Sequence, residues 1–258
     1  MGYGYRRRRR SFRRRLQTDL SMPSPQRSRP RPVFHAVEVV DIQDLSARVR
    51  RIRLVGDAIK GMEWTAGQKV KLKGTDFLRS YTISELNPQH GWMDIIFFLH
   101  GKGLASQWAA NTGRGDEILF TGPTKSVVGP EKVPEWALFL GDESTIGLAD
   151  AVLGALPDDV QIVGAIELDM EDAQAVEACG LPLMAAIREG AHGDVLLRWL
   201  QNHALPDGQG MIWVSGEAIT VRALRDALAE GPTRDDVEFV MKAYWSCRGH
   251  AHRKALGV

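Results

Sequence analysis

The hydrophobic pattern of this chain changes around Pro130–Pro134, and that change constrains the fold more than any other feature. Before it, segments such as Arg48–Leu54 and Gly67–Lys73 alternate charged and apolar residues. Such alternation is typical of half-exposed antiparallel strands. After it, continuous apolar segments such as Trp136–Leu140 are followed by helical patterns. That order is typical of a buried parallel sheet. The sequence therefore predicts an antiparallel half followed by an α/β half.

The antiparallel half contains enough predicted strands to close a small barrel, which hides the edges of its sheet. The six strands are expected at 33–40, 48–54, 67–73, 79–86, 92–100 and 116–122. In the α/β half, helices are expected between successive parallel strands, which makes a doubly wound sheet. Its strands are expected at 136–140, 160–166, 211–215 and 237–244, and its helices at 143–156, 195–200 and 217–228. We place the barrel in residues 33–130 and the α/β domain in residues 131–258.

The N-terminal segment, residues 1–32, differs in charge from the rest of the chain. Of the 33 basic and 32 acidic residues, eleven arginines and one acid, Asp19, lie in this segment. The remaining residues therefore carry 22 basic and 31 acidic side chains, a net charge of −9. An Arg- and Pro-rich segment has little to bury and repels itself, so we predict that it is disordered. It either has no role or binds weakly to nucleic acid or an anionic membrane surface.

Targeting signals and cysteine content bear on the cellular compartment. No apolar run follows the arginines, which argues against a secretory signal. No segment approaches the ~18 apolar residues of a membrane span. The two cysteines, Cys179 and Cys247, are too few for an iron–sulfur or metal motif. We expect a cytoplasmic protein without stable membrane insertion and without a metal site.

Arg79-Ser80-Tyr81-Thr82 follows a short strand-like segment, and its residue types suit a flavin nucleotide. Strand alternation sends Arg79 and Tyr81 to one face and Ser80 and Thr82 to the other. The Arg79 guanidinium can bind a pyrophosphate with two hydrogen bonds. Tyr81 can lay its ring against an isoalloxazine, whose edge Thr82 can meet. The alternative is an ordinary half-buried strand with a surface arginine.

A glycine-rich loop follows the next buried strand, Ile95–His100. Gly101-Lys102-Gly103 leads into a short helix that runs through Ala109, and free N–H groups at a helix start suit a phosphate. Further along lie a Gly115-Asp116 turn and Gly122-Pro123. The residues expected to contact the flavin nucleotide here are His100, Gly103, Leu104, Ala105 and Ser106.

The α/β half lacks the Gly-x-Gly-x-x-Gly fingerprint after its first strand. Gly141-Asp142-Glu143-Ser144-Thr145 stands in its place. Asp142 or Ser144 can cap the following helix, and acids suit a helix N-terminus. Because these acids also repel a pyrophosphate, any nicotinamide dinucleotide must bind here without the usual phosphate cradle.

The order of these motifs resembles the ferredoxin-reductase superfamily, and most closely its siderophore-interacting branch of FAD-dependent ferric-siderophore reductases. The resemblance covers residues 31–250 and includes Trp213-Val214-Ser215-Gly216-Glu217. In that branch the first motif usually ends in Arg, where this chain has Ser84. The usual Tyr-Trp-Arg-x-Gly near the C-terminus is here Tyr244-Trp245-Ser246, with Arg248 two residues later.

The resemblance implies FAD in the barrel and NADPH or NADH as the donor at the α/β domain, with a ferredoxin as the alternative donor. Electrons would pass through FAD to Fe(III) in a siderophore and release Fe(II). Thr82 would lie near flavin N5, Trp245 would cover the flavin, and no side chain need act as a catalytic acid or base. The residues expected on the nicotinamide side are Gly141, Asp142, Glu143, Gly216, Glu217, Arg222 and Tyr244.

The substrate itself suggests where positive charge should lie. Ferric siderophores are often anionic, so cations should gather near the flavin edge. Lys125 and Arg248 are the candidates, with Lys71, or else Lys69 or Lys73, as a third.

Three other functions stay open. One is another ferredoxin-reductase-like flavin oxidoreductase, which would reduce a ferredoxin, a quinone or free flavin. A second is a non-catalytic siderophore-binding flavoprotein. The third is a nucleic-acid-binding protein that works through the Arg-rich segment, which the acidic body disfavours. We therefore expect no nucleic-acid partner.

Overall fold

The structure is a computed structural model that describes residues 32–127, 129–130, 132–230 and 235–247. The predictions for residues 1–31 and for Arg248 fall outside these residues. A seven-stranded antiparallel sheet precedes a five-stranded parallel sheet. The predicted succession of an antiparallel half and a parallel half is therefore confirmed. Within the described residues, no helix has the length and apolar character needed to cross a bilayer.

The antiparallel sheet has the strand order β4-β3-β7-β1-β2-β6-β5. Its strands are β1 (His35–Asp44), β2 (Val49–Val55), β3 (Lys69–Lys73), β4 (Leu78–Thr82), β5 (Glu85–Asn87), β6 (Trp92–Phe98) and β7 (Glu117–Thr124). The seventh strand arises because the predicted strand 79–86 is divided. The N–H of Ile83 bonds to the carbonyl of Gln68, whereas the N–H of Ser84 bonds to the carbonyl of Asp94. The chain thus leaves β3 and joins β6 between these two residues.

Alternation along the strands builds the core of this half. In β2, Ile52 and Leu54 are fully buried while Arg51 and Arg53 are partly exposed. Ala109 of helix α1 (Leu104–Asn111) belongs to the same cluster, which also includes Phe97. The helix that follows the predicted glycine-rich loop is therefore packed against β6, close to β4.

The parallel sheet has the order β10-β9-β8-β11-β12. Its strands are β8 (Trp136–Asp142), β9 (Gln161–Leu168), β10 (Met184–Ile187), β11 (Gly210–Glu217) and β12 (Val237–Trp245). The helices are α2 (Ile146–Leu153), α3 (Gln174–Ala178), α4 (Asp194–Asn202) and α5 (Ala218–Ala229), with 3₁₀ turns at Glu143–Thr145 and Met170–Asp172. β10 and α3 are the elements that the sequence pattern missed, because four and five residues are too short to show a period.

An ion-pair cluster joins the two sheets. Arg48, just before β2, donates from Nε and Nη2 to the fully buried Asp172 carboxylate at 2.9 and 2.6 Å. Arg48 also bonds to Asp169, which accepts a second bond from Arg188 Nη1 at 2.8 Å. Because Arg188 directly follows β10, a chain of charges runs from the antiparallel half to the end of the parallel sheet.

Candidate functional site

A pocket of about 330 Å³ lies where the predicted flavin residues of the antiparallel half converge. It is lined from two separate segments, the start of β4 with the turn before it, and the loop that enters α1. Its lining residues are Asp76, Phe77, Arg79, Tyr81, His100, Lys102, Gly103, Leu104, Ala105 and Ser106. Seven of these ten belong to the predicted cofactor-binding set, so the fold brings the two motifs together.

Strand register explains how Arg79 and Tyr81 face this pocket. In the pairing of β4 with β3, Tyr81 lies opposite Val70 and Arg79 opposite Leu72, and both partners are buried core residues. The Tyr81 ring packs at 4.5 Å from the Phe97 ring, and burial raises the pKa of its phenol to about 12. Arg79 is exposed and forms no ion pair within the described part of the chain. Its Nη1 donates to the carbonyl of Leu78 at 3.0 Å, which leaves its other donors available to an anion.

The start of α1 completes the pocket. Its N-cap is Gly103, with φ +89°, and among the described residues no side chain caps this helix and no acid lies in its first turn. The Ser106 hydroxyl accepts the N–H of Gly101 at 3.3 Å. Nδ1 of His100 accepts the N–H of Lys102, and burial, then the charge of Lys102, lowers the pKa of His100. An uncapped helix start flanked by cations is suited to a phosphate.

Thr82 and Ser80 lie on the other face of β4, as the alternation predicts. Thr82 lies opposite Lys69, and its hydroxyl is 2.7 Å from the hydroxyl of Tyr244 on β12. Ser80 lies opposite Lys71 and is exposed. Tyr244, which we assigned to the nicotinamide side, therefore contacts the antiparallel half, and burial raises its pKa.

Trp245 lies away from the pocket, at the carboxyl end of the parallel sheet. Its indole N–H donates to Oδ2 of Asp142 at 2.9 Å, and its ring stands edge-on to His192 with centroids 5.2 Å apart. The same carboxylate accepts the backbone N–H groups of Ser144 and Glu217. Burial raises the pKa of Asp142 although these donors oppose it. The structure thus places Trp245 with the residues expected on the nicotinamide side.

Buried acids crowd this carboxyl edge. Glu143 pairs with Arg188 Nη2 at 2.6 Å, and the Glu167 carboxylate accepts the N–H of Gly193 at 2.8 Å. Burial raises the pKa of both carboxyls. We did not predict Glu167 or Arg188. In the sequence, Glu167 could have been recognised as an acid at the end of a strand, as Asp142 was. No local sequence pattern indicates Arg188.

The glycines beside these acids allow close packing. A Cβ on Gly216, which has φ +127°, would lie 2.4 Å from Oδ2 of Asp142, and one on Gly141 would lie 2.2 Å from Oγ1 of Thr145. Arg222 is exposed on α5 and lies outside the acid cluster. In the part of the chain that the structure describes, no three or more His, Cys, Asp or Glu residues are placed to hold a metal ion.

A cluster of lysines lies near Thr82. Burial lowers the pKa of Lys69, and the neighbouring charges of Lys242 and Lys71 lower it further. Within the described ranges, none of these lysines forms an ion pair. Lys125 is exposed and directly follows Thr124, which lies opposite Lys69 in the sheet. Lys242 is the member that sequence reasoning missed, since it belongs to β12 rather than to the antiparallel half.

Models of two protein families match this chain. Residues 73–127 match the siderophore-interacting FAD-binding domain, and residues 134–248 match the siderophore-interacting protein family. The first match contains Arg79–Ser106 of the pocket, and the second contains the acidic carboxyl edge.

Individual relatives have similar sequences and folds. A siderophore utilization protein from T. fusca is 27% identical, with a TM-score of 0.70 over 84% of this chain and 94% of that one. SipS, a siderophore-interacting protein from Aeromonas hydrophila, shares the fold at 23% identity, with a TM-score of 0.70 over 87% of this chain and 96% of that one. The NADPH-dependent ferric-chelate reductase of Escherichia coli is 24% identical over 87% of this chain and 97% of its own length.

Other relatives are longer than this chain. The mycobactin import ATP-binding/permease protein IrtA of Mycolicibacterium smegmatis is 28% identical over 82% of this chain but only 26% of its own length. An uncharacterized protein of Mycobacterium tuberculosis is 29% identical over 56% of this chain and 55% of its own length. The chain therefore spans between about a quarter and about half of the length of these curated relatives.

Proposed function

The chain belongs to the siderophore-interacting protein family, and from that premise we propose that it is an FAD-dependent reductase of ferric siderophores in the cytoplasm. Electrons would come from NAD(P)H or from a ferredoxin. The observation that carries the proposal is the pocket in which the Arg79 guanidinium, without an ion pair among the described residues, lies beside the uncapped start of α1. A guanidinium and free helix N–H groups together suit a dinucleotide pyrophosphate.

The residue types at this site in the antiparallel half are suited to the parts of FAD. Arg79 and the first N–H groups of α1 would hold the pyrophosphate. Tyr81, fixed by its packing on Phe97, offers a flat ring face to an isoalloxazine. Thr82, whose hydroxyl is held by Tyr244, would meet the flavin edge. Bound FAD would supply the redox chemistry, because it can take two electrons from a donor and release them one at a time.

The lysines suit the proposed substrate. Lys69, Lys71 and Lys242 form a cationic cluster on a body of net charge −9, and Lys125 lies beside it. Such a local field attracts anionic ferric chelates. Each Fe(III) ion would take up one electron to become Fe(II), which the chelator holds weakly and releases. Arg248, outside the described residues, is proposed to belong to the same group of cations.

The direct test is the visible spectrum of the purified protein, followed by anaerobic mixing with NADH, NADPH or reduced ferredoxin and a ferric chelate. We expect a flavin spectrum that bleaches with a donor and recovers as Fe(II) forms, trapped by a chromogenic chelator. A protein that binds FAD but reduces no ferric chelate with any donor would be a binding flavoprotein. A protein with no affinity for FAD would overturn the assignment of the pocket.

The cation cluster is tested through substrate charge. Lys71→Ala/Lys242→Ala should raise KM for an anionic ferric siderophore several-fold at low salt, and less at higher salt, because exposed charges are screened over ~8 Å near physiological ionic strength. Lys125→Ala/Arg248→Ala should act in the same direction. Lys132→Ala, an exposed lysine on another loop, is the control. Equal losses for anionic and cationic chelates would contradict an electrostatic role.

A further inference from the structure

The N-terminus of α5 lies at the carboxyl end of β11, where ligands of open α/β sheets usually dock. Most of its first backbone donors are already taken. The Glu217 carboxylate accepts the N–H groups of Ile219 and Thr220 at 2.5 and 3.0 Å. The N–H of Glu217 itself donates to Asp142 at 2.9 Å. Three of the first four N–H groups of this helix, counted from Glu217, therefore bond to carboxylates of the chain.

Carboxylates also lie at the start of α4, although no side chain in the described part of the chain caps its first turn. Gly193, its N-cap, donates its N–H to the Glu167 carboxylate, and the N–H of Ala191 donates to Asp194. Carboxylates of the chain thus accept N–H groups at both helix starts on this edge. A pyrophosphate would have to displace these carboxylates and would still lie among them.

The charges of the edge also oppose an anion. Four acids, Asp142, Glu143, Glu167 and Glu217, are at most 5% exposed, and Arg188 is the cation that pairs with Glu143 and Asp169. Trp245 occupies the space in front of Asp142 and holds its carboxylate by a hydrogen bond. Among the residues that the structure describes, the donors at this edge therefore do not fit a pyrophosphate. The same carboxylates do not repel an uncharged ring.

We infer that Glu217 and Asp142 are specificity-determining residues that keep the pyrophosphate of a nicotinamide dinucleotide off the carboxyl edge, so that its adenylate half contributes little to donor recognition. The inference rests on the proposed function for the identity of the donor. It follows that an uncharged donor without the adenylate half, such as 1-benzyl-1,4-dihydronicotinamide, should reduce the protein about as readily as NADH.

The decisive experiment is calorimetric titration of the FAD-loaded full chain with ADP-ribose, which carries the pyrophosphate but no nicotinamide. Wild type should show no saturable binding at ADP-ribose concentrations below about 1 mM, because its affinity for this ligand should be weak. Glu217→Gln keeps an acceptor for Ile219 and Thr220 and removes one charge, so it should bind about fivefold more tightly or better. Glu177→Gln, an exposed acid on α3, should match wild type. Micromolar binding to wild type, or no gain in Glu217→Gln, would overturn the inference.

A second measurement does not depend on any variant. The rates at which NADH and 1-benzyl-1,4-dihydronicotinamide reduce wild type should differ by less than about tenfold, which is a small difference in transition-state free energy. A preference for NADH above about a hundredfold would show that the adenylate half is recognised. If neither donor reduces bound FAD, the nicotinamide part of the proposed function fails, while the ADP-ribose titration still decides the inference.

Discussion

Helices α1 and α5 both begin after a strand and a glycine, yet their first turns have opposite electrostatics. α1 starts at Gly103 with no side-chain cap, and Arg79 and Lys102 line the same pocket. α5 starts at Glu217, whose carboxylate accepts two of the helix's own N–H groups. A helix start is therefore a phosphate site only when the chain leaves its donors free. The residue at the N-cap decides which start can serve a ligand.

The two starts also differ in what they contribute to stability. A side-chain cap stabilises a helix by about 1 kcal/mol, so α5 gains in the ligand-free protein what α1 lacks. The uncapped donors of α1 gain no such bond from the chain and are left to solvent or to a ligand. We expect α5 to be a structural element and α1 a ligand-binding one.

The largest effect should come from removing a buried acid at the carboxyl edge beside α5. Asp142→Ala leaves the N–H groups of Trp245, Glu217 and Ser144 without their acceptor in a buried place. The free energy of unfolding should fall by about 2–4 kcal/mol, because buried donors without partners are costly. Urea denaturation measures the loss, with Asp158→Ala, an exposed acid before β9, as the control. A loss below about 0.5 kcal/mol, the range of surface substitutions, would mean that the network does not stabilise the edge.

The next largest effect concerns FAD affinity and the arginine in the pocket beside α1. Arg79→Ala removes a charged fork from the pocket and should weaken FAD binding by about 1.5–3 kcal/mol, roughly ten- to a hundredfold. Flavin fluorescence during titration of the apoprotein measures the affinity. Arg114→Ala, an exposed arginine paired with Asp41, should leave it unchanged. An unaltered FAD affinity in Arg79→Ala would show that the pyrophosphate binds elsewhere.

A third variant makes α1 resemble α5. Leu104 is 50% exposed at the first position of α1, so Leu104→Glu adds an acid to a helix turn that has none. FAD affinity should fall about tenfold from charge repulsion, while Tm stays equal or rises, since an acid in the first turn stabilises a helix by about 0.3–1 kcal/mol. Leu104→Gln is the matched neutral variant and should bind FAD more tightly than Leu104→Glu. Equal affinities would contradict the electrostatic comparison.

The smallest effect is the pH dependence of the acidic edge. Because burial raises the pKa of Glu167, the folded state holds a proton that the unfolded chain has already lost. The stability from this proton is fully present below the unfolded pKa and is lost as pH rises through the folded pKa. Glu167→Gln cannot titrate, so its Tm relative to wild type should increase from pH 5 to pH 8. A constant difference across this range would contradict the raised pKa.

The sequence correctly predicted the structural features that depend on short segments of the chain. The alternation of β4 correctly separated Arg79 and Tyr81 from Ser80 and Thr82, and the glycine loop was correctly placed at a helix start. It did not find contacts set by the packing of distant strands. Lys242 joins Lys69 from β12, which no local pattern indicates.

Two neighbouring residues illustrate the same limit. Tyr244 was assigned to the nicotinamide side and Trp245 to the flavin, whereas Tyr244 contacts Thr82 and Trp245 contacts Asp142. Adjacent residues on a strand point to opposite faces, so an error of one residue in register exchanges their surroundings. The division of the predicted strand 79–86 has a similar cause, because only the change of partner at Ile83 and Ser84 ends β4.

The hydrogen bond between Thr82 and Tyr244 joins residues 162 positions apart. On a ribosome, the antiparallel half emerges long before its partner in this contact exists, since domains tend to fold in the order of synthesis. The face of β4 that carries Thr82 is therefore completed by the last strand of the described fold. A nascent or C-terminally truncated chain could form the pocket of Arg79 and α1 and still lack the wall supplied by β12. The proposed nucleotide binding and the proposed electron transfer would then be acquired at different moments in the life of the polypeptide.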